Sequence, residues 1–376
     1  MTAIAGAMSG PTTSATDGDS SLLVSIVVPC RNERDHVGAF AASTLGQALP
    51  AGWRLEIVIA DGGSDDGTAE ALAALAAADP RLRVVANSGR IVSAGLNAAL
   101  AATHGSVVVR MDVHTTYASD YVAECLATLA RTGADNVGGP WRAEAMPGGG
   151  AMQAAIAAAF QSRWVAGGAL SRRLDHDGQV DTVYLGAWPR ATFDRFGGFD
   201  EALVRNQDDE HNLRIVRGGG RIWQSPRIRS AYRPRARLAQ VFRQYRQYGY
   251  WKPFVMKKLG QPASIRHVVP ALFVVALALA VVLAVAGMVA ASMSARHATV
   301  AATLWPLAAL LIAYGAAVAL LTAGVAASAS LGASALLRVP LVIATYHVAY
   351  GLGTVAGAWA VLSGRGDASR YSSLSR

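Results

Sequence analysis

Three acidic positions carry the chemistry this chain can do. Asp61 heads the run Asp-Gly-Gly-Ser-Asp-Asp-Gly-Thr at 61–68. A carboxylate there offers the hydrogen-bond acceptor that a nucleotide's base and ribose need, and Gly62 and Gly63 let a ligand approach the backbone closely. The same residue types also build ordinary turns, and Asp65 and Asp66 read as a turn and a helix cap. Asp112 and His114 are two apart and project to the same side of an extended segment. A carboxylate and an imidazole suit a divalent cation, which offsets the charge of a departing diphosphate. The imidazole favours Mn2+, with Mg2+ the alternative; the structural alternative is a histidine packed in a turn. Asp208, Asp209 and Glu210 are consecutive. Crowded carboxylates raise one another's apparent pKa, which suits a general base, although acidic residues also favour a solvated helix start. Glu210 and Arg214 are four apart and can pair on a helix.

Positioning these residues requires strand ends and helix starts. The β-rich run 21–29 ends at Pro29, and the run 55–60 ends at Asp61. Strands are also expected at 83–86, at 106–111 ahead of Asp112, and from 135 to 139. Helices are expected between them at 33–48, 68–78, 91–103 and 117–131. Alternation at this spacing implies βαβ units and a mostly parallel sheet of Rossmann-like α/β class. Ligands bind at the carboxyl ends of strands in such sheets, where both Asp61 and Asp112 fall. Residues 151–170 are expected to be helical, 184–187 a short strand, 195–200 a turn, and 208–217 a helix with Asp208 in its first turn.

No Asp or Glu occurs between Glu210 and Asp367, and the Lys and Arg of that stretch crowd mainly into 214–266. Three apolar runs follow, at 268–291, 300–323 and 339–362, each long enough to cross about 30 Å of hydrocarbon. The last holds Tyr346, His347, Tyr350 and several Gly, so it is suited to face protein or substrate. Residues 324–337 read as a loop, a re-entrant piece or an extended span. The net charge of +9 thus lies beside apolar spans, which points to an anionic lipid surface rather than nucleic acid. That places the soluble domain on the cytoplasmic side of the cell (inner or plasma) membrane as part of a multi-pass protein. The segment 238–259 has Phe242, Tyr245 and Tyr248 at helical spacing, interleaved with basic residues. It reads as a helix in the membrane interface, broken near Pro253, or as a surface helix packed on the domain. The expected organisation is a disordered tail (1–20), an α/β catalytic domain (21–235), a basic interfacial region (236–266), about three transmembrane helices (267–364) and a tail (365–376). Cys30 and Cys125 have no paired spacing and read as buried thiols in a reducing compartment.

The motifs in order are Pro-Cys-Arg-Asn-Glu (29–33), the run at 61–68, Asp112-Val-His114, and Asn-Gln-Asp-Asp-Glu-His-Asn-Leu-Arg (206–214). Together they resemble family 2 glycosyltransferases of GT-A fold over about residues 21–250, and most closely the membrane-attached exopolysaccharide type such as the succinoglycan glycosyltransferases. The resemblance implies that Pro29, Asn32, Glu33 and Asp61 frame the nucleotide. It places Asp112 and His114 in the metal motif, where the family usually has a second carboxylate instead of His114. It assigns the proton-accepting role to Asp208, with Gln207 standing where the family has Glu and Asp209 as the rival base. Arg90, in Asn-Ser-Gly-Arg (87–90), can reach phosphate or uracil, or can be a plain surface arginine. The family's Gln-x-x-Arg-Trp motif is degraded here; Gln244 and Tyr248 match its start and its aromatic residue, which argues for single additions. Trp188 offers an apolar acceptor platform or packs in the core.

The expected activity is that of a metal-dependent inverting glycosyltransferase. It would take a nucleotide-diphosphate sugar as donor and a polyprenyl-linked glycan as acceptor, in exopolysaccharide or cell-surface polysaccharide biosynthesis. The rival readings are a processive polysaccharide synthase and a non-enzymatic nucleotide-binding membrane scaffold.

Overall fold

A computed structural model of the protein describes residues 22–146, 148–260, 265–294 and 297–364; the expected tails at 1–20 and 365–376 lie outside the described residues. The chain opens with β1 (Leu23–Cys30), α1 (Val37–Leu45), β2 (Arg54–Asp61), α2 (Thr68–Ala78), β3 (Leu82–Ala86), α3 (Val92–Ala101) and β4 (Val107–Arg110). β1 pairs in parallel with β2 on one side and β4 on the other, and β3 pairs in parallel with β2. Val24, Ile26 and Val28 of β1 join Phe40 and Leu72 in one core, while Val27 joins Val58, Val108 and Leu96 in a second. Alternate residues of a strand face opposite sides, so β1 is covered on both faces and its apolar run is explained.

The second half of the sheet is mixed. β5 (Thr116–Tyr117), α4 (Tyr121–Thr132), β6 (Asn136–Gly139), α5 (Ala151–Gln161) and β7 (Gly178–Gln179) are followed by β8 (Tyr184–Pro189) and α6 (Arg190–Phe196). Then come α7 (Gln207–Arg217), β9 (Ile222–Gln224) and β10 (Ser230–Ala231). The sheet runs β3-β2-β1-β4-β8-β6-β9-β7, with β8 antiparallel to both neighbours, and β5 and β10 form a separate antiparallel pair. Two expectations fail here. Tyr117 is in a strand, not a helix, because it pairs with Ser230 far along the chain. The helix from 151 stops at Gln161, since Ser162 is extended and Gly167 and Gly168 take positive φ.

α8 (Leu238–Leu259) runs through Pro253 as one helix, not two. Gly249, Tyr250, Trp251 and Val255 are buried around that proline, and packing outweighs the hydrogen bond a proline removes. α9 (Val269–Ser294), α10 (His297–Ser328), α11 (Ala333–Leu336) and α12 (Val339–Leu362) complete the chain. Three helical stretches, Ile265–Ser292, Ala302–Ser328 and Ala333–Leu362, are long and apolar enough to cross a membrane. Leu272, Ile312, Leu320 and Trp359 leave large apolar side chains exposed on them. The last stretch has the lowest mean hydropathy, 1.4, and the largest buried share, because α12 packs against α8. A Cβ on Gly353 would meet the Arg246 carbonyl, and one on Gly357 the Tyr250 carbonyl; small residues let two helix backbones approach this closely. α8 is therefore a bridge between the sheet domain and the apolar helices.

Candidate active site

The strand register gathers the acidic positions. Cys30 lies opposite Asp61, and Val27 lies opposite Arg110. β1 thus sits between the ends of β2 and β4, and two strand spacings separate those ends by about 10 Å. That span suits an extended nucleoside diphosphate.

On the β2 side, Asp61 accepts from the Ser64 hydroxyl at 2.5 Å and the Ser64 amide at 3.2 Å. Gly63 takes a φ of 69° beneath the Arg90 guanidinium. Arg90 itself has positive φ, and its loop is tied down by the Asn87 amide donating to the Asp61 carbonyl at 2.8 Å. Asn32 closes the same turn, donating to Asp65 at 2.9 Å and accepting from the Asp65 amide at 3.0 Å. Glu33 is buried, and its carboxylate faces His114 Nδ1 at 3.1 Å. That contact links Glu33 to the segment that follows β4. Pro29 is half-buried between the two sides.

On the β4 side, Arg110 donates twice to Asp112, at 3.1 and 3.2 Å. Tyr117 of β5 holds the Asp112 backbone, its hydroxyl accepting from the amide at 2.6 Å. His114 keeps nearly half its side chain open, while the rest of the imidazole is partly desolvated by its surroundings. That desolvation, together with Arg235, Arg110 and Arg205, holds its pKa below that of free imidazole despite Asp112, and favours the neutral, ligating form. No group of three or more His, Cys, Asp or Glu side chains converges among the described residues. Asp112 and His114 fit a cation of the Mg2+ or Mn2+ kind, which takes one or two protein ligands and completes its shell with substrate phosphate and water. Each Asp112 oxygen retains acceptor capacity beyond its contact with Arg110.

α7 supplies the third part. Asn206 precedes it in a left-handed conformation, φ 62°, and donates to the Tyr248 carbonyl at 3.0 Å. The three carboxylates then part ways. Glu210 is fully buried, bonded twice by Arg214 at 3.0 and 2.8 Å and reached by Lys258 at 3.0 Å. Asp209 pairs with the buried Lys252 of α8 at 2.5 Å. Burial works against Asp209's ionisation, but Lys252 outweighs it and holds its pKa low. Asp208 has no ion pair among the described residues. Burial, reinforced by the charge of Asp209, raises its pKa above the usual carboxylate value, with Arg110 opposing. Arg110 lies within electrostatic reach of both Asp112 and Asp208.

The acceptor-side expectations divide. Trp188 is 2% exposed and packs against Phe193, Phe199 and His211 in the second core. It offers no platform to a ligand, which corrects that expectation. Gln244 is buried and donates to the hydroxyls of Tyr232 and Tyr248, while Tyr248 stays half-buried beside Asn206. Sequence reasoning missed Arg110 and Lys252. Arg110 was detectable: 110, 112 and 114 share one face at period two. Lys252 left no local signal, because its partner lies 43 positions away.

Residues 25–180 match the model of glycosyl transferase family 2. The succinoglycan biosynthesis protein ExoA of Rhizobium meliloti is 33% identical over 256 residues, covering 65% of this chain and 73% of that protein. The mannosyltransferase PcManGT from Pyrobaculum calidifontis, solved with GDP-Man and Mn2+, superposes with a TM-score of 0.53 at 19% identity, covering 89% of this chain and 87% of that one. That likeness is one of fold, and the fold is of the GT-A type. The match to S. aureus TarS in complex with UDP has a TM-score of 0.41 at 15% identity and covers 60% of this chain and 64% of that one, just under two thirds.

Proposed function

Because the chain belongs to glycosyltransferase family 2, we propose that it transfers a sugar, with inversion, from a nucleoside-diphosphate sugar to a lipid-linked glycan. The work of polysaccharide assembly named for ExoA is the setting we propose for it, with the catalytic domain on the cytoplasmic face of a multi-pass membrane protein. Asp61, braced by Ser64, accepts from the base or ribose, and Arg90 lies over the same turn. Asp112 and His114 hold a divalent cation, which when bound neutralises the diphosphate and eases its departure. Arg110 fixes the Asp112 carboxylate. Asp208 takes the proton from an acceptor hydroxyl, and the resulting oxygen attacks the anomeric carbon opposite the leaving diphosphate.

One observation carries the choice of base. Of three consecutive carboxylates, Glu210 and Asp209 are consumed by Arg214, Lys258 and Lys252, and Asp208 is the one whose pKa is raised toward a proton acceptor's range. The test is Asp208→Asn in the full-length protein, assayed with radiolabelled UDP and GDP sugars, Mn2+ and a membrane lipid extract. Transfer should fall by roughly 100-fold or more while nucleotide affinity is kept. Turnover at the wild-type rate refutes the assignment.

A further inference from the structure

Arg172 is a cation without a counter-charge. It ends the short turn Leu170–Arg172. Its guanidinium lies 3.7 Å from the centre of the Phe160 ring and 4.8 Å from that of Trp141. Its Nη1 is buried with no hydrogen-bond partner, and no ion pair to it occurs among the described residues. The polar side chains gathered near it are the neutral tyrosines Tyr245, Tyr346, Tyr232 and Tyr248, and desolvation is the main effect that lowers its pKa. Tyr245 of α8 and Tyr346 of α12 are stacked with ring centres 4.1 Å apart, and the Tyr346 hydroxyl donates to the Ile156 carbonyl of α5. The box therefore has one wall from the catalytic domain and one from a helix long enough to cross a membrane.

A half-buried guanidinium with a buried, unpartnered nitrogen and no ion pair is costly unless something supplies the missing acceptor and charge. A second arginine repeats the pattern. Arg205 has a buried Nε without a partner, and its guanidinium lies 6.0 Å from the Tyr248 ring centre. Its charge also reaches His114, and it stands three residues before Asp208. Two arginines with unused donors, set among aromatic rings, fit an anion with several acceptor oxygens attached to an apolar body.

We propose that Arg172 and Arg205 receive the phosphate or diphosphate of the membrane-lipid-linked acceptor and thereby set the acceptor's hydroxyl before Asp208. This rests on the transferase reading above. A diphosphate has two possible sources, acceptor and donor. The acceptor is favoured because the box is walled by α8 and α12, whereas the donor's diphosphate belongs at Asp112 and His114.

The test uses the full chain in detergent, with farnesyl diphosphate as the acceptor-side probe, farnesol as its uncharged control, and UDP and GDP as donor-side probes. Arg172→Gln should weaken farnesyl diphosphate binding by about tenfold or more, the loss of one charge-assisted contact, and leave UDP or GDP affinity within about twofold. Arg172→Lys should fall between. Without ligand, Arg172→Gln should melt within about 2–4 °C of wild type, because the guanidinium it removes has no ion pair to lose, only its contacts with the Phe160 and Trp141 rings. Equal farnesyl diphosphate binding by wild type and Arg172→Gln overturns the site, as does wild-type binding no tighter than that of farnesol. A parallel loss for UDP or GDP assigns Arg172 to the donor instead. A larger drop in melting point with unchanged binding makes it a packing residue. Normal farnesyl diphosphate binding by a chain that transfers no sugar supports the site while sinking the enzymatic reading.

Discussion

The Asp209–Lys252 pair is the contact most worth breaking. Lys252 is 3% exposed and Asp209 34%, so removing the ammonium strands a negative charge in a partly closed site beside Asp208. Deleting one partner of a buried ion pair costs about 3–5 kcal/mol. The third of Asp209 open to solvent screens part of this, which leaves about 1–2 kcal/mol. For a domain of this size, that lowers the melting point by roughly 2–4 °C per kcal/mol. Lys252→Met preserves side-chain volume and is the variant to make. Its effect on rate has a definite sign. Lys252 also draws down the pKa of Asp208, and a base works only when deprotonated. Activity falls as pH drops through that pKa, so without Lys252 the acid limb of the rate profile moves to higher pH. Adding Asp209→Asn removes the stranded charge that pushes Asp208 upward, and should move the limb back and recover most of the stability. The assay is sugar transfer against pH for the wild type, both single variants and the double variant, with a thermal melt of each. An acid limb unmoved in Lys252→Met, or a double variant no closer to wild type than Lys252→Met alone, refutes the argument.

Two further outcomes are expected. Trp188→Ala should destabilise the protein by about 3–5 kcal/mol, as loss of a buried core tryptophan does, and leave the acceptor KM of the surviving protein unchanged; a raised KM without loss of melting temperature restores an acceptor role. His114→Asp should shift the ratio of activity with Mn2+ to activity with Mg2+ toward Mg2+, since a carboxylate suits the harder ion, and an unchanged ratio counts against His114 as a ligand.

The sheet was readable because its signals are local. Apolar runs such as 55–60, closed by Asp61, and Ala- and Leu-rich segments such as Thr68–Ala78 declare strand and helix within a few residues. The three apolar helices follow from length and composition in the same way. What the sequence withheld depends on distant partners. Tyr117 looks like a helix start until Ser230 pairs with it. Pro253 looks like a break until α12 buries the turn around it. Trp188 beside a strand end fits a ligand platform or a core equally well, and only the rings of Phe193 and Phe199 decide between them. The acidic triplet is the sharpest case. Adjacency made Asp208, Asp209 and Glu210 look equivalent, and three cations from 4 to 48 positions further along the chain separate them.

Those cations also explain why the base motif and the apolar helices occur in one chain. Arg214 fixes Glu210 within α7 itself, but Lys252 and Lys258 reach α7 from α8. α8 is itself locked to α12, where Gly249 lies against the Tyr350 carbonyl and Gly353 against that of Arg246. Any larger residue at these points would force the helices apart, and α8 would carry its two lysines with it. The orientation of Asp208 is thus set through α7 by a helix whose own position is set by a candidate membrane span. A catalytic domain cut free of α12 would keep every motif residue and lose the scaffold that distinguishes Asp208 from its neighbours.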